Sequence, residues 1–482
     1  MQLKKLLDSP CGLRFMIDNL CTHSSYSRKI MLESSMMYDK NAIENTYSVM
    51  KEFYEVVKND ENKNVIQSLQ FKLCNLKDIN HTISRLATSV VIDDIELYEV
   101  KSLALLSADV KNILEKIFLD KIIEIPNLDD VVKILDPDGL HIATFYIYDS
   151  YSEELASLRK KLKEKDVYQE DIYNEVMRIE DEIRAELSSK LKPYSEAMTS
   201  ALNALADVDI NIAKSLQMKE LGLCFPMISS KNISSYKGIF HPEVKSILEK
   251  EKREYQKVDI DFGLKPLIIM GSNMGGKTIV LKTLAMCQYL LQFGFGVPAT
   301  SADMMIYDEI FCLTTDDQSI NKGLSSFAAE MKNIDAVIKS SRRDAKCCVS
   351  DCADAKYCVS DCIDAKYCVS DYADAKCCVS TLALIDEPAR TTNPTEGTAL
   401  VSSLVKLLQD RAMSLVIVTH YNIKTYNNKC LRVKGLIDGK MNYELVETHE
   451  GEVPHEALNI AETLGIDSQW IEMAKEIISV RN

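Results

Sequence analysis

Leu267-Ile268-Ile269-Met270-Gly271-Ser272-Asn273-Met274-Gly275-Gly276-Lys277-Thr278 is the stretch on which the reading of this chain turns. Its four leading apolar residues fit a short buried strand, and Ile279 to about Phe293 fits a helix leaving the turn. Between them the spacing Gly-x-x-x-x-Gly-Lys-Thr is complete. Gly271, Gly275 and Gly276 let successive backbone N–H groups, with Asn273 among them, turn toward an anion. Lys277 can reach β- and γ-phosphates, and Thr278 can hold Mg²⁺. A glycine-rich turn that merely packs would explain the glycines but not the Lys-Thr pair. The expected ligand is a nucleoside triphosphate with Mg²⁺.

Downstream, apolar runs at Thr381–Ile385 and Ser414–Val418 alternate with helical stretches, which predicts an α/β sheet with the nucleotide at its strand ends. Three further constellations follow in order. Gly323-Leu324-Ser325-Ser326-Phe327-Ala328-Ala329-Glu330-Met331 reads as a small-residue turn entering a helix, where the hydroxyls of Ser325 and Ser326 and free N–H groups suit a γ-phosphate. Leu382-Ala383-Leu384-Ile385-Asp386-Glu387 would deliver Asp386 to the Mg²⁺ shell and Glu387 to the attacking water, as general base or water-positioner. Val416-Ile417-Val418-Thr419-His420 ends in a histidine able to donate to the γ-phosphate. Singly, an Asp-Glu pair can cap a helix and a strand-end histidine can be structural. Their order behind a complete cradle makes them a set.

Residues 1 to about 215 are dominated by helical periodicity, clearest in Ile172, Val176, Ile179, Ile183, Leu187, Leu191, Tyr194, Met198, Leu202 and Leu205. Pro193 is expected to kink or break that helix. The Glu/Lys-rich part near 150–190 reads as an antiparallel helical arm. The expected organisation is therefore multidomain: an N-terminal all-α lever or core domain at 1–215, a C-terminal α/β P-loop ATPase domain at 216–450, and a helical tail at 451–482. The tail pattern runs Ala457, Ile460, Ala461, Leu464, then Trp470, Ile471, Ala474 and Ile477.

Bulk properties narrow the classes. With 46% apolar and 27% charged residues the composition is that of a globular protein, and no apolar run is long enough for a membrane span. The first residues lack the apolar core of a secretory signal, so a cytoplasmic protein is expected. A net charge of −15 weighs against nucleic-acid binding over the whole surface, though not against a local patch. The candidate patch Arg159-Lys160-Lys161 with Lys163 reads as a solvated helix face. Seven cysteines outside one repeated stretch sit mostly in apolar patterns, as free buried thiols would.

That stretch holds four ten-residue units, DAKCCVSDCA, DAKYCVSDCI, DAKYCVSDYA and DAKCCVSTLA, over residues 344–383. Tandem duplication tolerated as a surface loop is the simplest account, because loop length costs entropy only slowly. A metal-binding cysteine cluster or a short stack of hairpins are the alternatives.

Residues from about 266 to 478 resemble the MutS family of ABC-type ATPases. The resemblance rests on GSNMGGKT at 271–278, VPA at 297–299, the Gly323–Met331 signature loop, LIDE at 384–387 and VTHY at 418–421. DSPCGLRF at 8–15 and Leu191–Ala213 resemble the start and end of the family's core domain. The resemblance implies ATP and Mg²⁺ as cofactors. It also implies a homodimer in which Ser325 and Ser326 of one subunit cap the nucleotide of the other. The chain opens at the core, and nothing in it matches the family's mismatch-reading wedge. After Glu387, Pro388-Ala389-Arg390-Thr391-Thr392-Asn393-Pro394-Thr395-Glu396-Gly397 departs from the repair members' Gly-Arg-Gly-Thr-Ser. It looks more like the branch without a reader, and like the ATPase component of aminomutase reactivating systems. The repeat also lengthens the segment between signature helix and acidic strand, which puts signature placement in question. Two clients stand as alternatives, DNA gripped by closing helical arms or a protein such as a cobalamin-dependent aminomutase.

Overall fold

The computed structural model describes the chain apart from residues 143, 164–169, 272–275, 315–325, 351–380, 438–439, 449–465 and 480–482. It is a mixed helical and α/β protein with two sheets. Up to Leu221 its described elements are helical. They are α1 (Leu13–Asp18), α2 (Ser25–Glu33), α3 (Lys40–Lys58), α4 (Lys63–Leu73), α5 (Asn80–Ala87), α6 (Asp94–Lys116), α7 (Asp129–Leu135), α8 (Glu153–Lys163), α9 (Glu170–Leu191) and α10 (Ser195–Leu221), with short 3-10 turns between some of them.

The long apolar stripe is carried by two helices. A 3-10 turn over Lys192–Tyr194 separates α9 from α10, with Pro193 inside it. Proline has no N–H to give and its ring blocks the preceding turn, so the break falls where the sequence places it. Arg159 of α8 donates to Glu180 of α9, to Asp149 and to the Ile147 carbonyl, and is partly buried. It is a clamp and not part of a bare solvated face. Val176, Ile179, Ile183 and Leu187 of α9 join one helical core with residues of α4, α5, α6 and α10.

Beyond Leu221 strands appear. β1 (Met227–Ile228), β2 (Ile233–Ile239), β3 (Val258–Gly263) and β5 (Ser301–Met304) form a sheet in the order β1-β5-β2-β3. The larger sheet contains β4 (Leu267–Met270), β6 (Glu309–Leu313), β7 (Thr381–Asp386), β8 (Met413–Thr419), β9 (Lys429–Ile437) and β10 (Lys440–Glu447), in the order β10-β9-β4-β8-β7-β6. Its pairings are parallel except for the antiparallel β9–β10 edge. The remaining helices are α11 (Pro242–Lys250), α12 (Lys277–Gln292), α13 (Ser326–Ser350), α14 (Pro394–Leu408) and α15 (Ser468–Ser479).

The apolar run of β4 is continuous because both of its faces are covered. Leu267 and Ile269 pack with α12, while Ile268 and Met270 pack with Ile334 and Val337 of α13 and with Val401, Leu404 and Val405 of α14. α12 is itself buried along most of its length, between the sheet and elements drawn from Leu3 to Met50. Its C-terminal turn is gripped by the first half of the chain. Tyr47 donates to the Phe295 carbonyl at 2.8 Å, and the Met37 N–H donates to the Gln292 carbonyl at 2.8 Å. Lys214 of α10 donates to the Phe293 carbonyl at 3.1 Å and lies 4.1 Å over the Phe295 ring. One hydrophobic cluster thus spans position 216.

α13 runs to Ser350 and so continues into the first repeat unit. Ser340 meets Thr381, the first residue of β7, at 3.1 Å across 41 positions of chain, and also donates to Glu309 of β6. The later repeat units and the tail pattern at 457–464 lie outside the described residues. Of the seven cysteines outside the repeat, only Cys11, Cys287 and Cys430 are buried. Among the described residues no helix is long and apolar enough to cross a membrane.

Burial pushes the Lys214 ammonium down to about 8. An unfolded lysine keeps its proton to about pH 10. Between those values the unfolded chain binds more protons, so stability rises as pH rises. The neutral amine can still donate to Phe293. Urea midpoints of wild type and Lys214→Met are expected to diverge in favour of wild type from about pH 7.5 to about pH 9.5. A constant difference would mean that Lys214 titrates in the ordinary range.

Candidate active site

The parallel register brings three strand ends to one edge of the larger sheet. Met270 pairs with Thr419, and Asp386 pairs with Val418. β4, β7 and β8 therefore release their chains side by side, at the carboxyl-end crevice where such sheets hold ligands. From β4 comes Gly271 with φ 133°, and Gly276 with φ 67° precedes the first residue of α12. Both values lie where a side chain would be strained, which frees the backbone to curl into a cradle. Lys277 is only 3% exposed, and its Nζ donates back to the Gly271 carbonyl at 2.7 Å, so the ammonium sits across the turn.

Thr278 Oγ1 donates to Asp386 Oδ2 at 2.8 Å, which joins the start of α12 to the end of β7. Asp386 is buried, and its Oδ1 has no hydrogen-bond partner among the described residues. Burial pushes its carboxyl pKa up; the Thr278 hydrogen bond opposes this and the neighbouring Glu387 charge adds to it. A buried carboxylate with a free oxygen and a hydroxyl beside it is a hard-oxygen pair of the kind Mg²⁺ takes. The residues present fit that ion.

Glu387 is also buried. Its N–H donates to the Val418 carbonyl at 2.9 Å, and Oε1 lies 3.8 Å from His420 Nδ1. Oε2 lies 3.5 Å from Arg390 Nε but makes no hydrogen bond among the described residues. His420 stands just past β8, partly open to solvent.

The loop after the carboxylates is strained. Glu387 has φ 45° and Ala389 φ 61°. Left-handed backbone at a non-glycine residue costs about 1–3 kcal/mol and persists only where the surroundings impose it. Here the Ala389 N–H donates to Glu330 Oε1 of α13 at 2.6 Å, and the Ala389 carbonyl accepts from the Tyr421 hydroxyl at 2.8 Å. The Tyr421 ring in turn lies against Gly397 of α14, where an added Cβ would stand 2.6 Å from it. Asn393 accepts from the Thr395 N–H at 2.9 Å and Pro394 is the first residue of α14. This Asn-Pro pair is a helix start of the ordinary kind.

The structure brings Gly271, Gly276, Lys277, Thr278, Asp386, Glu387 and His420 together at one sheet edge. Asn273, Gly275 and Ser325 lie outside the described residues; Ser326 opens α13, but its side chain is not among those described. Glu330 and Tyr421 gave no sign of a role in the sequence. Both stood inside quoted motifs, and a hydrogen bond across 59 or 32 positions has no local signature.

Residues 267–351 match the family model of MutS domain V. The chain is similar to the endonuclease MutS2 of Caldicellulosiruptor bescii, 31% identical over 312 residues, covering 62% of this chain and 34% of that protein. It is likewise similar to the endonuclease MutS2 of Enterococcus faecalis, 29% identical over 337 residues, covering 68% of this chain and 36% of that one. The chain thus spans about a third of the length of these curated relatives. A MutS domain V thus begins at β4 and takes in the cradle and the signature helix, and it is over this part that the chain resembles the MutS family.

Proposed function

We propose that the chain is a Mg²⁺-dependent ATPase acting as a molecular switch: ATP closes a homodimer, and the closure moves the helical first half against DNA. The observation that carries this reading is the convergence of Lys277, Thr278, Asp386, Glu387 and His420 at one sheet edge. Their chemistry divides the work. Lys277 releases the Gly271 carbonyl and places its charge on the β- and γ-phosphates. Thr278 and Asp386 would hold Mg²⁺, which when bound neutralises charge across those phosphates. Glu387 holds the attacking water and takes its proton, its buried oxygens being fixed before any substrate arrives. His420 donates to the γ-phosphate from the next strand. Ser325 and Ser326 of a second subunit complete each site.

DNA is favoured as client by kinship with the MutS family. The nuclease activity in the relatives' name stays with those proteins. An aminomutase client has no observation behind it. The Asn393-Pro394 pair that suggested such a branch is accounted for by the start of α14.

Lys277→Ala is expected to abolish measurable nucleotide binding or turnover in a phosphate-release assay. Glu387→Gln should lower turnover by about 10²- to 10⁴-fold while retaining ATP, with the dimer persisting on a sizing column. Undiminished turnover in Glu387→Gln would remove Glu387 from the hydrolytic role. Binding to a four-way DNA junction should weaken by about a thousandfold between about 50 and about 200 mM salt if six or so phosphates are contacted. No binding even at low salt would end the DNA reading and leave the ATPase reading standing.

A further inference from the structure

Glu330 lies on α13, outside the groups assigned to nucleotide chemistry, yet it holds the loop that carries Glu387. Ala389 is pinned from two sides: its N–H donates to Glu330 Oε1 at 2.6 Å, and its carbonyl accepts from Tyr421 at 2.8 Å. Glu387, two residues earlier, has a left-handed φ of its own, and its backbone N–H is tied to the Val418 carbonyl. A segment with two such residues in three relaxes unless its neighbours over-determine it. The neighbours that do so also carry other parts of the site. α13 starts at Ser326, and Tyr421 follows His420 directly.

We propose that Glu330 is a positioning residue, which by accepting the Ala389 N–H holds the Glu387 carboxylate in its hydrolytic place and ties that placement to the position of α13. The inference rests on the ATPase reading and deepens it. A shift of α13, whose first residue is part of the signature loop, would carry Glu330 away from Ala389 and let the loop relax. Hydrolysis in one subunit would then depend on how that subunit's own signature helix is seated. The group that matters is an acceptor oxygen, so an amide in place of the carboxylate should serve as well.

The test uses the full chain with Mg²⁺ and ATP, and compares wild type with Glu330→Ala, Glu330→Gln and Tyr421→Phe. Glu330→Ala is expected to lower kcat by about 10- to 100-fold, with KM and the affinity for a fluorescent ATP analogue within about twofold of wild type. Glu330→Gln should restore kcat to within about threefold, because its amide oxygen still accepts. Tyr421→Phe should lower kcat in the same direction by a smaller factor, and it decides the matter if Glu330→Ala fails to fold. The proposal is overturned if Glu330→Ala keeps wild-type kcat, if Glu330→Gln is as impaired as the alanine variant, or if binding falls in parallel with kcat. Unchanged kcat in Tyr421→Phe counts against it equally. Absence of turnover in wild type overturns the ATPase reading and this inference with it, and that result is distinct from each of the others.

Discussion

The enclosure of α12 is the constraint on which the rest depends. Leu281, Leu284, Ala285, Met286, Cys287, Leu290 and Leu291 have no measurable exposure, so beyond Lys282 this helix has no free face. Burying each leucine contributes about 2 kcal/mol, which fixes the helix far more firmly than any single hydrogen bond could. Its N-terminal end carries the cradle and its C-terminal end is held by Met37, Tyr47 and Lys214. Those contacts join the cradle helix to α10 and to the segment around α3, whose residues also enter the helical core.

Against that fixed rod the acidic edge breaks several ordinary rules in a short space. Two adjacent carboxylates are buried, each keeps one oxygen without a hydrogen bond among the described residues, and two non-glycine residues are left-handed. Each feature is unfavourable by itself. Local conflicts of this kind concentrate where a protein binds or reacts, and the surrounding sheet supplies the stability that tolerates them. The free oxygens of Asp386 and Glu387 are already placed, so a ligand would find its partners prearranged.

Much of this was legible in the chain. The strands at 267–270, 381–386 and 413–419 announce themselves as apolar runs, and the break at Pro193 follows from one residue's geometry. The site residues that precede or follow those strands could be read from spacing alone. What stayed hidden is tertiary. The grip of Tyr47 on α12 joins positions 248 apart, and nothing near Tyr47 marks it. Glu330 looks like any helical surface glutamate. The Asn393-Pro394 pair is a strong local signal that the structure accounts for as a helix start, with Asn393 accepting from the Thr395 N–H. Arg159 likewise read as a solvated charge because its partners, Asp149 and Glu180, lie on other elements.

The contact between Ser340 and Thr381 has a meaning for how this gene can change. It closes the chain on itself at the first residue of the acidic strand, joining α13 to β7. Most of the repeated stretch lies in sequence between those two residues. Doubling the length of such an excursion adds only about 0.6 kcal/mol of closure entropy. A further ten-residue unit therefore costs little closure entropy while Ser340 and Thr381 stay in contact. Copy number in the array is thereby a weak lever on stability, set apart from the contact that holds the start of the acidic strand.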